Sequence, residues 1–438
     1  MVPDRLVPYF DPWTTPAVLW MVVVLAAALL GLRGRRLALL AAGAAVGIAI
    51  WKAWAIGPPT GLLDLMIYTN SARAWLDGSS LFSYRSPVFN LSATYPPIGL
   101  LPFSVFTPLS AELREILFTC VSVAAVGGAA LCASVLAGIE RGRRAEWTLW
   151  ALAVAIVTMP VWLTLRQGQV NAILWLLVLG DVVLLARGSR FSGIGIGAAT
   201  AIKLLPGLFI VWLLVVGWRR PAVRAIATAA ALTALGWVLA PDDSRRYWTD
   251  LIWNSDHVGR LDDARNNSLL GMLSRIIEPG AVQTCLWVLA LVIVTAVGLA
   301  RARRATRSED LLAAVIIIGC TSALVSPISW THHLGYLVLA AAALLPLMNS
   351  RHRWMLLAVA ALPVVDPGNL GDDVVTSLLR MALMLAVVLA LPIVSGRSLG
   401  TTDTHSGPKG LQDPNSRPSP QAEQAQAART PRSRSTNS

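Results

Sequence analysis

Long apolar runs separated by short polar breaks set the pattern of this chain. Runs at about 16–32, 37–56, 113–139, 146–165, 169–187, 221–240, 281–300, 310–326, 334–349, 353–365 and 374–396 approach the ~20 residues that cross a bilayer as helix. A shorter apolar piece at 97–109, ending in TPLS, reads as a re-entrant or interfacial segment. The pattern predicts an all-α, polytopic helical integral membrane protein with about 11–13 transmembrane segments, including a broken hairpin. Residues 1–396 form the membrane-embedded domain, with outer loops near 57–95 and 241–280. Residues 397–438, rich in Ser, Pro, Gln and Arg, lack the apolar surface to fold and read as a disordered cytoplasmic tail. The first apolar run leads into an Arg-rich stop without a small-residue cleavage site, so no cleavable signal is expected.

Basic residues orient the spans. Arg33, Arg35 and Arg36, Arg141, Arg143 and Arg144, Arg187 and Arg190, Arg301, Arg303, Arg304 and Arg307, and Arg351 and Arg353 mark cytoplasmic turns. One segment breaks the alternation. FSGIGIGAATAIKLLPGLFIVWLLVVGWRR (191–220) has Arg at both ends and Lys203 and Pro206 in its middle. Two half-helices meeting near Lys203 and Pro206 return both ends to the cytoplasm, and such non-helical backbone must be buried in protein or line a cavity. The N-terminus then falls outside, as do 57–95, RQGQ (166–169), 241–280, SPISWTHH (326–333) and DPGNLGDD (366–373). Most Asp, Asn, Gln and His of the membrane region collect on that plasma-membrane outer (periplasmic) face.

Composition supports this reading. Of 438 residues, 55% are hydrophobic and 14% charged, against ~25% charged in a soluble domain. The net charge of +12 lies largely in the cytoplasmic turns and the tail, so nucleic acid is not an expected partner. Cys120, Cys132, Cys285 and Cys320 lie in apolar stretches without metal-ligand spacing, and read as core or lipid-facing residues.

Several residues carry candidate chemistry. Asp64 opens a stretch with Leu65, Tyr68, Ala72 and Trp75 at helical spacing, as in a helix along the membrane surface. A carboxylate there is partly desolvated and moves towards the pKa of a working base; it reads equally as a helix N-cap. Asp77 before Gly78 reads as a turn residue. Tyr95, in ATYPPIGLLPF, fits an interfacial aromatic belt ahead of a helix start. Arg166, Gln167, Gln169 and Asn171 open an otherwise apolar helix, and neutral amides suit hydroxyl-rich ligands such as sugars. Lys203 sits inside hydrocarbon, where an ammonium costs at least ~2.5 kcal/mol and marks a functional site; it suits an anionic group such as a phosphate. His332 and His333 lack HxxxH spacing, so metal binding is a poor reading, and no metal or cofactor is assigned. Their rings can donate to an anion, with Trp330 as a flat face for a sugar or isoprenoid. Asn266 and Asn267, in NNS, match a glycosylation pattern and equally suit hydrogen bonding to an acceptor.

Taken in order, Asp64 with Tyr68, TYPP (94–97), RQGQVN (166–171), KLLP (203–206), NNS (266–268) and SPISWTHH (326–333) resemble the integral-membrane glycosyltransferases of GT-C fold. The resemblance is to the actinobacterial polyprenyl-phosphate-mannose-dependent α-mannosyltransferases of glycosyltransferase family 87. It implies a polyprenyl phosphomannose donor, inversion to an α-mannoside, and no obligatory metal. The implied acceptor is a lipid-linked glycan in the membrane, of phosphatidylinositol mannoside, lipomannan or lipoarabinomannan type. It implies Asp64 as general base, with Lys203, His332, His333 and Arg166 at the donor phosphate. Tyr68, Tyr95, Gln167, Gln169, Asn171, Asn266, Asn267 and Trp330 are then the sugar and acceptor residues. The run at 16–32, ahead of the helix that leads to Asp64, departs from the family pattern. A sibling enzyme using polyprenyl phosphoarabinose, and a secondary transporter with a charge at a broken helix, are the rival readings.

Overall fold

The protein was studied as a computed structural model, which describes residues 34–55, 61–87, 89–254, 257–344 and 374–396. The expected spans at 16–32 and 353–365, the segment 366–373 and the tail from 397 lie outside the described residues. Among the described residues the regular structure is helical, with no strand.

Ala111–Leu136, Arg219–Leu239 and Ala281–Arg307 are each long and apolar enough to cross a membrane. A fourth crossing counts if Arg141–Ile156 and Met159–Gln167, bent by 73°, form one span. Shorter apolar helices of 10–17 residues, among them Asn171–Ala186, Gly207–Val216 and Leu311–Val325, pack between these. Pro160 lies in the first turn of Met159–Gln167, and its ring cannot continue the helix ahead of it. Leu311–Val325 is buried along nearly its whole length, yet its 15 residues rise only ~22 Å, short of the ~30 Å hydrocarbon core. Ala281–Arg307 is its opposite, with Val282, Leu286, Leu289, Val292 and Ile293 all exposed as lipid-facing side chains would be.

The segment 191–220 is broken as its charges predict. Ile194–Ile202 and Gly207–Val216 are separate half-helices, and Lys203 takes an extended backbone between them. Asp181, 2% exposed on Asn171–Ala186, accepts from the Gly193 and Ile196 amides at 2.7 and 2.8 Å. Those amides would otherwise be orphans at the start of a buried helix. The hairpin tip is held from the far side by Ser322, whose hydroxyl donates to the Leu205 carbonyl.

The segment at 97–109 is not a span: Pro97–Leu100 is one α-helical turn continued by a 3-10 turn, Leu101–Phe106. Gly99 lies so close to the hairpin that a Cβ there would stand 2.6 Å from the Ile202 carbonyl oxygen. The two outer loops also meet. Asp243 accepts from the Ser80 hydroxyl at 2.5 Å and the Leu81 amide at 2.9 Å, and the Phe82 and Tyr247 rings stack at 6.1 Å.

Candidate active site

Asp64 belongs to the helix Leu63–Leu76, which does not lie openly along a surface. Leu63, Leu65, Ile67, Tyr68, Thr69, Ser71 and Ala72 are buried, because Tyr95 and Phe103 pack onto Tyr68 with ring centroids at 4.9 and 5.1 Å. Nor is Asp64 the N-cap. Leu62 holds that position, and the Asp64 carboxylate is turned elsewhere. Gln169 Nε2 donates to Asp64 Oδ2 at 2.6 Å. Tyr95 Oη donates to Gln169 Oε1 at 2.5 Å, and Lys203 Nζ donates to Tyr95 Oη at 3.1 Å. Base and cation are thus joined through two neutral side chains.

The chain of bonds continues beyond Lys203. Its ammonium also donates to Asn171 Oδ1 at 3.1 Å and lies 4.9 Å from the Tyr95 ring centroid. Asn171 Nδ2 donates to the His332 carbonyl at 2.9 Å, which ties the SPISWTHH loop to the same centre. His332 and His333 are buried, with ring centroids 4.7 Å apart. The Trp330 amide donates to His333 Nδ1 at 3.2 Å, so the His333 proton sits on Nε2. Among the described residues the Nε2 atoms of both rings are buried without a partner. An unsatisfied buried donor of this kind is costly unless a ligand meets it.

Electrostatics separates the roles. Burial raises the Asp64 carboxyl to about 6, while the Gln169 bond and the Lys203 charge act downward. Burial holds both imidazoles well below their usual range, and the Lys203 charge pushes the same way. The centre therefore pairs a carboxylate that titrates near neutrality with neutral histidines.

A glycine lets these elements meet. Gly168 ends Met159–Gln167 in the left-handed region, at φ +68°. A Cβ there would stand 2.6 Å from Leu65 Cβ and 3.0 Å from Leu62 Cβ, so the RQGQ turn rests directly on the Asp64 helix. Glu115 Oε1 accepts from the Leu62 amide at 3.3 Å and fixes the same N-terminal end of that helix.

The remaining sequence candidates fall into different settings. Gln169, Asn171 and Tyr95 spend their hydrogen bonds on Asp64, Lys203 and the histidine loop, which makes them holders of the charged groups. Tyr95, 4% exposed, is a core residue and no belt aromatic. Asn266 and Asn267 are fully buried. Asn266 donates to the Leu261 and Pro327 carbonyls at 3.0 and 3.2 Å and accepts from the Ser329 amide at 2.9 Å. Asn267 donates to the Ser329 carbonyl at 3.1 Å, so the NNS motif clamps SPIS in place. Trp330 is half-buried, with the Arg265 guanidinium 5.8 Å from its ring. Gln167 Oε1 is buried without a partner, and Arg166 sits half-buried on the same turn. Asp77 caps the end of its helix ahead of Gly78 at φ +81°, a turn residue as expected.

One neighbour was passed over in the sequence. Arg380, 2% exposed on Val374–Ala390, donates through Nη1 to Thr331 Oγ1 at 3.1 Å, beside the two histidines. An arginine inside an apolar run was signal enough to find it.

Comparison with known proteins supplies the family. The model of glycosyltransferase family 87 matches residues 93–327, which include Tyr95, RQGQVN, Lys203 and NNS; Asp64, His332 and His333 lie outside that stretch. A relative from Mycobacterium tuberculosis strain H37Rv is 30% identical over 74% of this chain and 78% of its own length. It is named a polyprenol-phosphate-mannose-dependent alpha-(1-2)-phosphatidylinositol mannoside mannosyltransferase. A protein of the same name from Mycolicibacterium smegmatis is 28% identical over 81% of this chain and 89% of its own length. A pentamannoside mannosyltransferase from that organism is 31% identical over 67% of this chain and 72% of its own length. No solved structure matches the chain. With more than half its length matched by the family model and a relative 30% identical over 74% of it, the chain is a membrane enzyme that belongs to glycosyltransferase family 87.

Proposed function

We propose that this enzyme moves mannose from polyprenyl phosphomannose to a hydroxyl of a phosphatidylinositol mannoside, with inversion to an α-(1→2) mannoside, on the outer face of the plasma membrane. The relatives' names support the donor, acceptor and linkage. The observation that carries the chemistry is the bonded chain Asp64–Gln169–Tyr95–Lys203. Gln169 holds Oδ2 of Asp64, and Oδ1 is left for the acceptor hydroxyl. As that oxygen attacks the anomeric carbon, its proton passes to Asp64. The bond from the anomeric carbon to the phosphate oxygen breaks, and the phosphate leaves with the electron pair. It departs as an anion and needs no acid, unlike the leaving group of a glycosidase, which uses a second carboxyl. Lys203 neutralises the developing phosphate charge, and the Nε2–H of His333 offers a neutral donor to the same group. Such preorganised donors are worth most where water is excluded.

The test is Asp64→Asn in purified protein given radiolabelled polyprenyl phosphomannose and a phosphatidylinositol mannoside. The variant keeps the shape and loses the base, so transfer falls by at least ~10²-fold while donor binding persists. Transfer at the wild-type rate would place the base elsewhere. Faster transfer from polyprenyl phosphoarabinose by the wild type would replace the donor.

A further inference from the structure

A polar hollow lies beside the segment that leads to Tyr95. It is a cavity of about 350 Å³, with Arg85 and the residues 90–92 on one wall and Arg246, Asp250, Leu251, Asn254 and His257 on the other. Its volume falls in the range of small-ligand sites. Arg85, Asn90, Arg246, Asp250, Asn254 and His257 line it. Arg85, Asn90, Arg246, Asp250 and Asn254 are exposed at its mouth, and Arg85 Nη1 donates to the Asn90 carbonyl at 3.1 Å. Burial holds the His257 imidazole below its usual range, and the charges of Arg85, Arg246 and Asp250 all bear on it. Arg246 and Asp250 stand four residues apart, yet among the described residues they form no ion pair.

The cavity is coupled to the reaction centre by one short stretch of chain. His257 Nε2 donates to the Ala93 carbonyl at 2.9 Å, two residues before Tyr95. Tyr247, beside Arg246, stacks on Phe82 and lies near enough to Tyr95 to influence it electrostatically. A ligand in the cavity therefore rests against the wall behind which Gln169 and Asp64 are held.

The lining has two kinds of chemistry. Guanidinium forks match phosphate oxygens, and a pair of them is more than a neutral sugar requires. Amides with both donors and acceptors, together with a carboxylate that only accepts, match vicinal hydroxyls. A simple anion site would have no use for Asp250. We infer that this cavity holds the inositol phosphate headgroup of the acceptor lipid, with Arg85 and Arg246 on its phosphodiester and Asn90, Asp250 and Asn254 on its hydroxyls. The inference rests on the reading of the enzyme as a mannosyltransferase with a phosphatidylinositol mannoside acceptor. The donor phosphate stays at Lys203, so each lipid has its own cation.

The experiment uses the full-length enzyme in nanodiscs and reads binding separately from turnover. Fluorescent phosphatidylinositol mannoside and a neutral dialkylglycerol mannoside are titrated against wild type, Arg85→Gln and Arg246→Gln. Loss of one charge-assisted bond weakens the inositol lipid by about tenfold or more. The neutral lipid and polyprenyl phosphomannose bind as in wild type, which also shows that the variants fold. In transfer assays KM rises for the inositol acceptor alone. Unchanged affinity for the inositol lipid in both variants overturns the assignment, as does an equal loss for donor or neutral mannoside. Displacement of the bound lipid by millimolar inorganic phosphate, but not by glycerophosphoinositol, overturns it in favour of a free-anion site. A wild-type enzyme that binds the inositol lipid through these arginines but transfers no mannose refutes the function above and leaves the cavity's ligand standing.

Discussion

Replacing Gln169 with Met isolates what the amide does for Asp64. Gln169→Met keeps the length of the side chain and removes the donor that lies 2.6 Å from Asp64 Oδ2. Burial has raised the Asp64 carboxyl to about 6, and the Gln169 bond is one of the two influences that hold it from rising further. A hydrogen bond to a charged group is worth about 1.5–3 kcal/mol, and one pKa unit corresponds to about 1.4 kcal/mol. Loss of the bond therefore raises the carboxyl by roughly one to two further units.

The sign follows from which form works. A general base acts as the carboxylate, so kcat/KM falls as pH drops through the pKa of the free enzyme. In the wild type the acid limb is centred near 6, and at pH 7 about nine-tenths of the enzyme is ionised. In Gln169→Met the limb moves up towards about 7 or 8, and at pH 7 half of the enzyme or less is ionised. Initial rates of mannose transfer, measured from pH 5 to 9 at low acceptor concentration, follow the limb directly. Activity lost at pH 7 should return substantially at pH 9. Tyr95→Phe serves as the comparison, since it leaves the amide on Asp64 and keeps the limb near that of the wild type. A Gln169→Met profile that keeps the wild-type limb at a lower plateau refutes the reasoning, and Gln169 is then a packing residue only.

Three further outcomes follow from the same geometry. Lys203→Ala raises KM for polyprenyl phosphomannose by about tenfold or more, and Lys203→Arg loses less because the charge remains; normal donor affinity in Lys203→Ala removes the phosphate role. Gly168→Ala forces a side chain into the left-handed region against Leu62 and Leu65; it lowers the thermal midpoint and cuts transfer by about 10²-fold through misplacement of Gln169, and wild-type transfer would show that the turn does not position the base. In a cysteine-free background of intact cells, Arg260→Cys reacts with an impermeant thiol reagent and Gly142→Cys does not; labelling of Gly142→Cys from outside reverses the active face.

The hairpin was legible because its signals are local. Arginines at both ends and a Lys and a Pro in the middle of 191–220 leave few ways to thread the segment. The helix Leu63–Leu76 and the breaker at 96–97 were legible for the same reason. Partners were not. The bond from Gln169 to Asp64 spans 105 positions and that from Lys203 to Tyr95 spans 108, and no periodicity encodes them. The three amides of RQGQVN therefore read as a sugar site, and nothing local shows that Gln169 and Asn171 also bond Asp64 and Lys203. NNS was misplaced in the same way, because an amide that grips the backbone of SPIS looks identical in sequence to one that grips a ligand. Hydropathy sums across a break such as Pro160, whereas backbone hydrogen bonding does not, so the bend between Arg141–Ile156 and Met159–Gln167 was not legible.

Why Asp64 and Lys203 are kept apart follows from electrostatics at the centre. A direct ion pair between Asp64 and Lys203 would favour both ionised forms and pull the carboxyl down, which would make it a poorer acceptor of a hydroxyl proton. It would also occupy the ammonium that the phosphate has to reach. Interposing Tyr95 and Gln169 avoids both. Each charge keeps a hydrogen-bond partner, which lowers the penalty of burying it, and the gap between them is bridged by neutral groups. On the proposed function, a sugar phosphate placed across that gap would meet a carboxylate on its hydroxyl-facing side and a cation on its leaving side. The close approaches at Gly99 and Gly168 matter for this reason: one seats the hairpin tip with Lys203, the other seats Gln169 against the Asp64 helix, and the separation of the two charges depends on both.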